Sequence, residues 1–402
     1  MNINSYFKYF FKYSLCWIAL LPIYLIGPFF LIRLNKLPTE VIGSLAEGME
    51  TYLCKKKEQK TLFQLDLFCF GEISNSYLAS LVKKKVHVLP KFFTAIFLLN
   101  EFLSRYIFFI KKHTINFKEL RDINDLYSKY PPNFSFSKKE INSGWNTLEK
   151  IGVPRGSKFI CLVIRDKEYK LKSDLISRDM SYHDFRNFDS DNFLLAANNL
   201  AKKGLYVIRM GKAVEKKFIS SNKKIIDYAN SNYASDFMDI FIGANCEFCL
   251  TTATGIDTIP LIFRKPIAGI VVPVAFVQTY SKKFINITKH HYLNGKKLNA
   301  KEIFENNLAF LLDKKFYDEK KVTLKEPKPK EISDFAIEAY DLFVKKKSYR
   351  GNELKIQKNY QKKLHDYMVR SKLYDKYYQE NIQPVSPKGF FGVKFIKQNN
   401  FF

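Results

Sequence analysis

Between residues 159 and 272, short apolar runs alternate with segments of helical periodicity, and each run gives way to polar residues at its end. Residues 159–164 lead into Arg165 and Asp166, residues 205–208 into Arg209, Met210, Gly211 and Lys212, and residues 248–250 into Thr251-Thr252-Ala253-Thr254-Gly255. Apolar runs without polar alternation mark strands buried on both faces, so the pattern predicts a parallel sheet covered by helices. Such sheets take ligands in the crevice beyond the carboxyl ends of their strands. All three polar clusters fall there.

The same alternation recurs upstream on a smaller scale. Residues 41–43 read as a short strand followed by a helix to about residue 57, residues 61–70 as a strand, 75–84 as a helix and 86–89 as a strand. Residues 92–110 form a very apolar helix suited to a core or to a lipid surface. Pro131 and Pro132 open a polar stretch to Lys139 that reads as a linker. Beyond residue 330 come an amphipathic helix at 332–347 and a basic, tyrosine-rich tail. The expected fold class is α/β, with two Rossmann-like domains facing a cleft, the usual place for a two-substrate site. The expected segments are 1–36 as a membrane anchor, 37–140 and 141–325 as the two α/β domains, and 326–402 as a helical, basic tail.

The anchor rests on residues 14–32, which carry no charge over 19 positions. Pro22, Gly27 and Pro28 favour a broken or re-entrant segment as much as a straight span. Cations are denser on the side of the main body, which predicts a body on the cytoplasmic face of the inner membrane. The net charge of +27, from 66 Lys and Arg against 39 Asp and Glu, suits an anionic membrane surface or an anionic substrate. Nucleic acid is not expected as a partner, because no nucleic-acid-binding motif or paired Cys/His spacing is present. The six cysteines, at 16, 54, 69, 161, 246 and 249, are scattered and several lie inside apolar runs, as buried thiols do. Cys246 and Cys249 have the spacing of a metal knuckle but no second pair follows, and the adjacent His290 and His291 point apart on any regular element.

The chemistry gathers at the strand ends. The turn from Thr251 to Gly255 enters a helix predicted at 256–264, so Thr252, Thr254 and Gly255 are candidates to meet a phosphate or ribose; an ordinary capped turn is the plainer alternative. Arg165 and Arg209, each ending a strand, suit forked recognition of a diphosphate, with surface ion pairing as the alternative. The long loop after the first strand contains Tyr182-His183-Asp184-Phe185-Arg186-Asn187. Its His183 or Asp184 is a candidate general base on an acceptor hydroxyl and Arg186 a phosphate contact, unless Asp184 serves only to cap a turn. No Gly-x-Gly-x-x-Gly fingerprint, phosphate loop or Asp-x-Asp motif is present. The residues point to a two-domain enzyme acting on a diphosphate-bearing substrate, with neither a metal nor a cofactor required.

The run at 182–187, followed in order by residues 207–212, 226–228, 235–239 and 254–257, resembles a family of bacterial glycosyltransferases whose members occur with genes for surface polysaccharide. The resemblance is specific over about 160–300 and weaker over 38–60. It implies a GT-B-like fold. The catalytic half also resembles nucleotide-diphosphate-dependent fucosyltransferases, in which an Arg after an early strand binds the donor diphosphate, and Arg165 matches that position. Ser44 stands after Gly43 where the resemblance leads to expect His, and Thr252 and Thr254 replace the more usual serines while keeping the hydroxyls. The implied activity is transfer of a sugar from a nucleotide-diphosphate sugar, bound by 141–325, to a glycan or polyprenyl-linked acceptor entering from 37–140. The alternative is a non-catalytic, membrane-associated scaffold of a polysaccharide assembly complex.

Overall fold

The computed structural model describes the chain except for residues 1–2, 59–62, 116, 118–119, 121, 123, 169–180, 273–280, 310, 312, 371–386 and 402; for residues 3–13 it describes the backbone alone. The chain divides into two compact units, Met1–Arg121 and Asp122–Phe402.

The first unit runs α1 (Ile3–Ile26), β1 (Leu31–Leu37), α2 (Ile42–Glu58), β2 (Gln64–Phe70), α3 (Ser76–Lys83), β3 (His87–Leu89) and α4 (Thr94–Tyr106). The strands form a parallel sheet in the order β1-β2-β3. The strand expected at 41–43 lies instead at 31–37. That strand mixes apolar Leu31, Ile32, Leu34 and Leu37 with polar Arg33, Asn35 and Lys36 and stops before Pro38, which cannot donate to a ladder, and Ile42 already begins the helix. Arg33 and Asp66 face each other across β1 and β2, with Arg33 Nε 2.7 Å from Oδ1 and Nη2 2.8 Å from Oδ2. Tyr52 of α2 donates to the same carboxylate at 2.5 Å. Burial alone raises the Asp66 pKa, but the donors from Arg33 and Tyr52 outweigh it and hold the group below its ordinary value.

Residues 14–32 do not form one apolar helix. α1 ends at Ile26, the chain turns through Gly27 and Pro28, and Leu31 enters the sheet. Gly27 is required at this bend because a Cβ there would lie 2.8 Å from the His113 imidazole. That imidazole is held by a 2.6 Å bond from Nδ1 to the Ile32 carbonyl. Among the described residues no helix is long and apolar enough to cross a membrane. The uncharged part of α1 follows Lys12 and falls short of the ~20 residues that a hydrocarbon core requires.

The second unit is built on a seven-stranded sheet with all neighbours parallel, in the order β13-β9-β8-β7-β4-β5-β6. Its strands are β4 (Phe159–Val163), β5 (Tyr206–Met210), β6 (Ile225–Asp227), β7 (Cys249–Thr251), β8 (Ile267–Ile270), β9 (Phe284–Ile287) and β13 (Phe390–Phe391). A small antiparallel sheet of β10 (His290–Leu293), β11 (Lys296–Lys297) and β12 (Val322–Lys325) follows. Helices α5 (Lys138–Lys150), α6 (Leu194–Lys202), α7 (Asp236–Asn245), α8 (Thr258–Ile262), α9 (Pro329–Phe343), α10 (Gly351–Arg370) and α11 (Val393–Asn399) belong to this unit, along with shorter helices at Leu126–Lys129, Ala300–Glu305 and Lys314–Glu319. Residues beyond 326 take part in the main core: Tyr340, Tyr360 and Phe391 are buried with Ile160 and Leu250, and Gln357 brackets Phe391 with bonds of 2.6 and 3.0 Å to its backbone. Residues 130–136 pack in this unit as well, where Arg264 reaches the Tyr130 and Pro131 carbonyls and Phe136 stacks on Phe263.

All six cysteines are buried. His290 and His291 face apart, His290 toward Glu331 at 3.0 Å and His291 toward the Lys289 carbonyl at 2.9 Å.

Where α5 crosses α7, a Cβ on Gly144 would stand 2.5 Å from three ring atoms of Phe241. Replacing Gly by Ala in a helix ordinarily stabilises by up to about 1 kcal/mol. Here overpacking wins, and Gly144→Ala is expected to destabilise by about 1–3 kcal/mol in urea unfolding. A gain in stability would show that the crossing opens freely.

Candidate functional site

Strand order reverses between β4 and β7, which lie side by side although β5 and β6 separate them in the chain. The carboxyl ends of these two strands define the switch point of the sheet. Two polar segments meet there. The backbone N–H of Arg165 donates to Thr252 Oγ1 at 2.8 Å, and the N–H of Thr252 donates to the Val163 carbonyl at 3.1 Å. The two strand ends are thereby stitched together just before they diverge.

The turn after β7 is closed from beneath by Asp257. Its Oδ2 accepts from Thr251 Oγ1 and from the Thr254 amide, both at 2.9 Å. The Ala253 amide donates to Thr251 Oγ1 at 3.1 Å, and Ala253 sits at φ +59, in the left-handed region that a residue with a Cβ rarely enters. These bonds use the amides of Ala253 and Thr254, and α8 is a helix of only five residues. In the expected cradle of open amides, the Thr254 amide is thus taken by Asp257 and the Ala253 amide by Thr251. Positive charge at this turn comes from side chains instead: Arg186 reaches over and donates through Nη2 to the Ala253 carbonyl.

Arg165 is half-buried, and its Nε has no hydrogen-bond partner among the described residues; the same holds for Thr254 Oγ1. Burial lowers the Arg165 pKa, opposed by Asp184, Tyr182, Asp166 and Asp257, so several negative or polar groups share its surroundings. The guanidinium nonetheless stays charged.

Other expected site residues are placed differently. Strand β5 runs through Met210, two residues beyond the expected end, so Arg209 lies inside the sheet opposite Leu162 on one side and Asp227 on the other. It is 1% exposed and bonds Asp227 Oδ1 at 3.1 Å, with Asp166 Oδ2 at 3.9 Å. It braces the ends of β4, β5 and β6, with its Nε, like that of Arg165, unpartnered among the described residues. Thr252 is 1% exposed, and its hydroxyl is the acceptor for Arg165 N–H. Gly255 and Thr254 are half-exposed.

The 3-10 turn Ser181–Arg186 carries His183, half-buried with its ring 4.0 Å from that of Tyr182, and Asp184, which is exposed. Asp184 accepts from Asn187 through its backbone carbonyl at 2.9 Å and through Oδ1 at 3.1 Å, the turn-capping arrangement. The Phe188 amide donates to the Arg165 carbonyl at 2.9 Å, which lays this loop across the end of β4.

Sequence reasoning missed three participants. Asp166 accepts from the Glu168 and Glu215 amides, both at 3.0 Å. Lys289, a buried amine, donates to the Asn187 carbonyl and sits 4.1 Å over the Phe188 ring; burial lowers its pKa to about 8 despite Glu326 nearby. Asp257 is the third. Asp166 was visible in its place after Arg165, whereas nothing local in sequence ties Lys289 to a loop a hundred residues away. A cavity of about 350 Å³, lined among others by Asp166, Asn187, Ser190, Glu215, Lys216 and Glu326, adjoins the same loop. Among the described residues no group of three or more His, Cys, Asp or Glu is placed to hold a metal ion.

No family model and no curated protein matches the sequence. Among solved structures, the chain is similar to a glycosyl transferase family 9 protein from Veillonella parvula, at 9% identity over 79% of this chain and 98% of that one, with a TM-score of 0.43. It is also similar to the E. coli ADP-heptose lps heptosyltransferase II, at 11% identity over 66% and 92% with a TM-score of 0.38. E. coli heptosyltransferase WaaC with ADP-2-deoxy-2-fluoro heptose matches at 10% identity over 72% and 99%, with a TM-score of 0.32. The α/β assignment rests on the strand order itself.

Burial lifts the Asp257 pKa to about 6, although Thr251, the Thr254 amide, Arg186 and Arg165 pull it down. At pH values below its ordinary 3.8 the carboxyl is protonated in folded and unfolded chains alike and carries no penalty. As pH rises from there to about 6 the unfolded chain ionises first, so stability falls, by on the order of 3 kcal/mol in total. Asp257→Asn should remove that loss. Asp239, buried under Tyr228 and also raised to about 6, contributes a similar limb to both proteins and cancels in the comparison. Urea unfolding across this pH range should give curves that diverge between wild type and variant; parallel curves would refute the assignment.

Proposed function

We propose that the protein is a glycosyltransferase that moves a sugar from a nucleotide-diphosphate donor to a glycan or polyprenyl-linked acceptor in surface polysaccharide synthesis. The reading is supported chiefly by Arg165, a half-buried cation with an unpartnered Nε at the switch point of a sheet ordered as in dinucleotide-binding folds. A diphosphate meets such a guanidinium in a forked geometry, with Arg186, Thr254 and Gly255 beside it. The carboxylate-lined cavity next to the loop suits hydroxyl-rich groups, since carboxylates accept from several hydroxyls at once. His183 or Asp184 serves as base on the acceptor hydroxyl, in a loop laid directly over the Arg165 backbone. Donor binding belongs to the second unit, and the reaction proceeds on the cytoplasmic face of the inner membrane.

Thermal-shift screening with uridine, guanosine, cytidine and adenosine diphosphates and their sugars tests the donor class, because a ligand bound only by the native state must raise its stability. At least one should stabilise. Arg165→Ala should weaken that ligand by about 1.5–3 kcal/mol, roughly 10- to 150-fold. An unchanged affinity in the variant sinks the site, and no shift with any nucleotide favours a non-catalytic scaffold. Substituting the true base, through His183→Gln or Asp184→Asn, should lower turnover by about 10²–10⁴ with donor affinity nearly intact. Loss of donor affinity instead would make the loop a diphosphate clamp.

A further inference from the structure

Helix α1 is apolar on both of its sides. Cys16 and Leu20 are buried against Phe97, Leu99 and Leu103 of α4. The opposite face repeats at Leu15, Ile18, Pro22 and Leu25, all exposed and spaced three and four residues apart, and Phe29 is exposed in the turn that follows. Ile18 and Leu25 are each 69% exposed and Phe29 80%. The outer face of α4 and the 3-10 turn after it continues this surface with Leu98, Phe102, Tyr106, Phe108 and Phe109; Phe108 is 91% exposed. A helix apolar all round is not stable facing water, and a contiguous surface of this kind marks a partner.

The charges around it say which partner. The only charged side chains on the outer face of α4 itself are Glu101 and Arg105, paired with each other at 2.7 Å. At its edge Lys111 and Lys112 are exposed, and Lys91 is exposed beside Glu72 at 3.6 Å. An apolar face with a lysine border fits an anionic phospholipid bilayer, whose headgroups meet the lysines while the acyl region takes the side chains. A second copy of the chain would set lysine border against lysine border. The helix cannot sink across the bilayer, because its far end is tied through Gly27 to His113 and then to the sheet.

We propose that α1 and α4 form a monotopic docking face that lies in the plane of an anionic membrane surface. It is independent of the nucleotide site and holds the protein at the membrane whether or not donor is bound. Trp17, 42% exposed on α1, and Tyr106, 75% exposed on α4, sit at headgroup level, where amphipathic aromatic rings are favoured.

Co-sedimentation of the full chain with vesicles of equal parts phosphatidylglycerol and phosphatidylcholine tests this without any nucleotide. Wild type should partition to these vesicles and less to phosphatidylcholine alone. The triple variant Ile18→Ser, Leu25→Ser, Phe108→Ser, confined to exposed positions, should partition at least about tenfold less while keeping its melting temperature. Lys111→Glu with Lys112→Glu should erase the preference for the anionic vesicles. Tryptophan quenching by brominated lipids should be stronger from shallow than from deep acyl positions and should vanish in Trp17→Phe. Equal partition of wild type and triple variant overturns the proposal. So does stronger quenching from deep positions, which indicates a span, or a dimer that the triple variant abolishes with no vesicle binding by wild type.

Discussion

A carboxylate shut away from water shapes the switch point of the large sheet. Asp257 collects the Thr251 hydroxyl and the Thr254 amide on a single oxygen, and the turn between them can close only by driving Ala253 into left-handed backbone. Left-handed backbone costs roughly 1–2 kcal/mol for a residue with a Cβ, and the burial of the acid costs more. The fold tolerates both because the closed turn presents the Ala253 carbonyl to Arg186 and the Thr252 hydroxyl to the Arg165 amide. The positions of the two arginines thus follow from one buried acid.

Arg165 and Arg209 show how far such positions are legible. Both follow apolar runs, and by spacing alone they look equivalent. Two extra residues of strand separate them: Arg165 stands two places beyond Val163, whereas Arg209 is still in the ladder, level with Leu162 and Asp227. A buried guanidinium demands partners, and Asp166 and Asp227 supply them. The strand's true end lies at Met210, paired with Val163 of β4, while Arg209 pairs with Asp227 of β6, a three-residue strand too short to declare itself by pattern. The same limit applies to Thr252, whose hydroxyl is consumed by a neighbour 87 residues away.

What was legible rests on local physics. The three apolar runs became β4, β5 and β7 because a parallel sheet buried on both faces tolerates no polar alternation. Helix α7 begins at Ser235, whose side chain accepts from the Met238 amide, a cap fixed within one turn of the chain. The long apolar stretch near the start misled because hydropathy sums over residues without seeing where the backbone turns. Gly27 and Pro28 allow a bend, but only the imidazole of His113, 86 residues further on, makes the bend obligatory. The same apolar residues then divide between an internal face on α4 and an external one.

Water exclusion at the switch point has two effects that act in the same direction. It raises the Asp257 pKa and lowers that of Arg165, so both charged groups are held at a cost that folding has already met. An anion arriving beside Arg165 need not strip the full hydration of a mobile surface cation, nor restrict a free side chain. It meets a charge fixed in a region of reduced dielectric, where the attraction is larger than in water. On the proposed reading, the Arg165 Nε and the Thr254 hydroxyl, both buried and unpartnered among the described residues, would gain partners when the anion settles against this acid-closed turn.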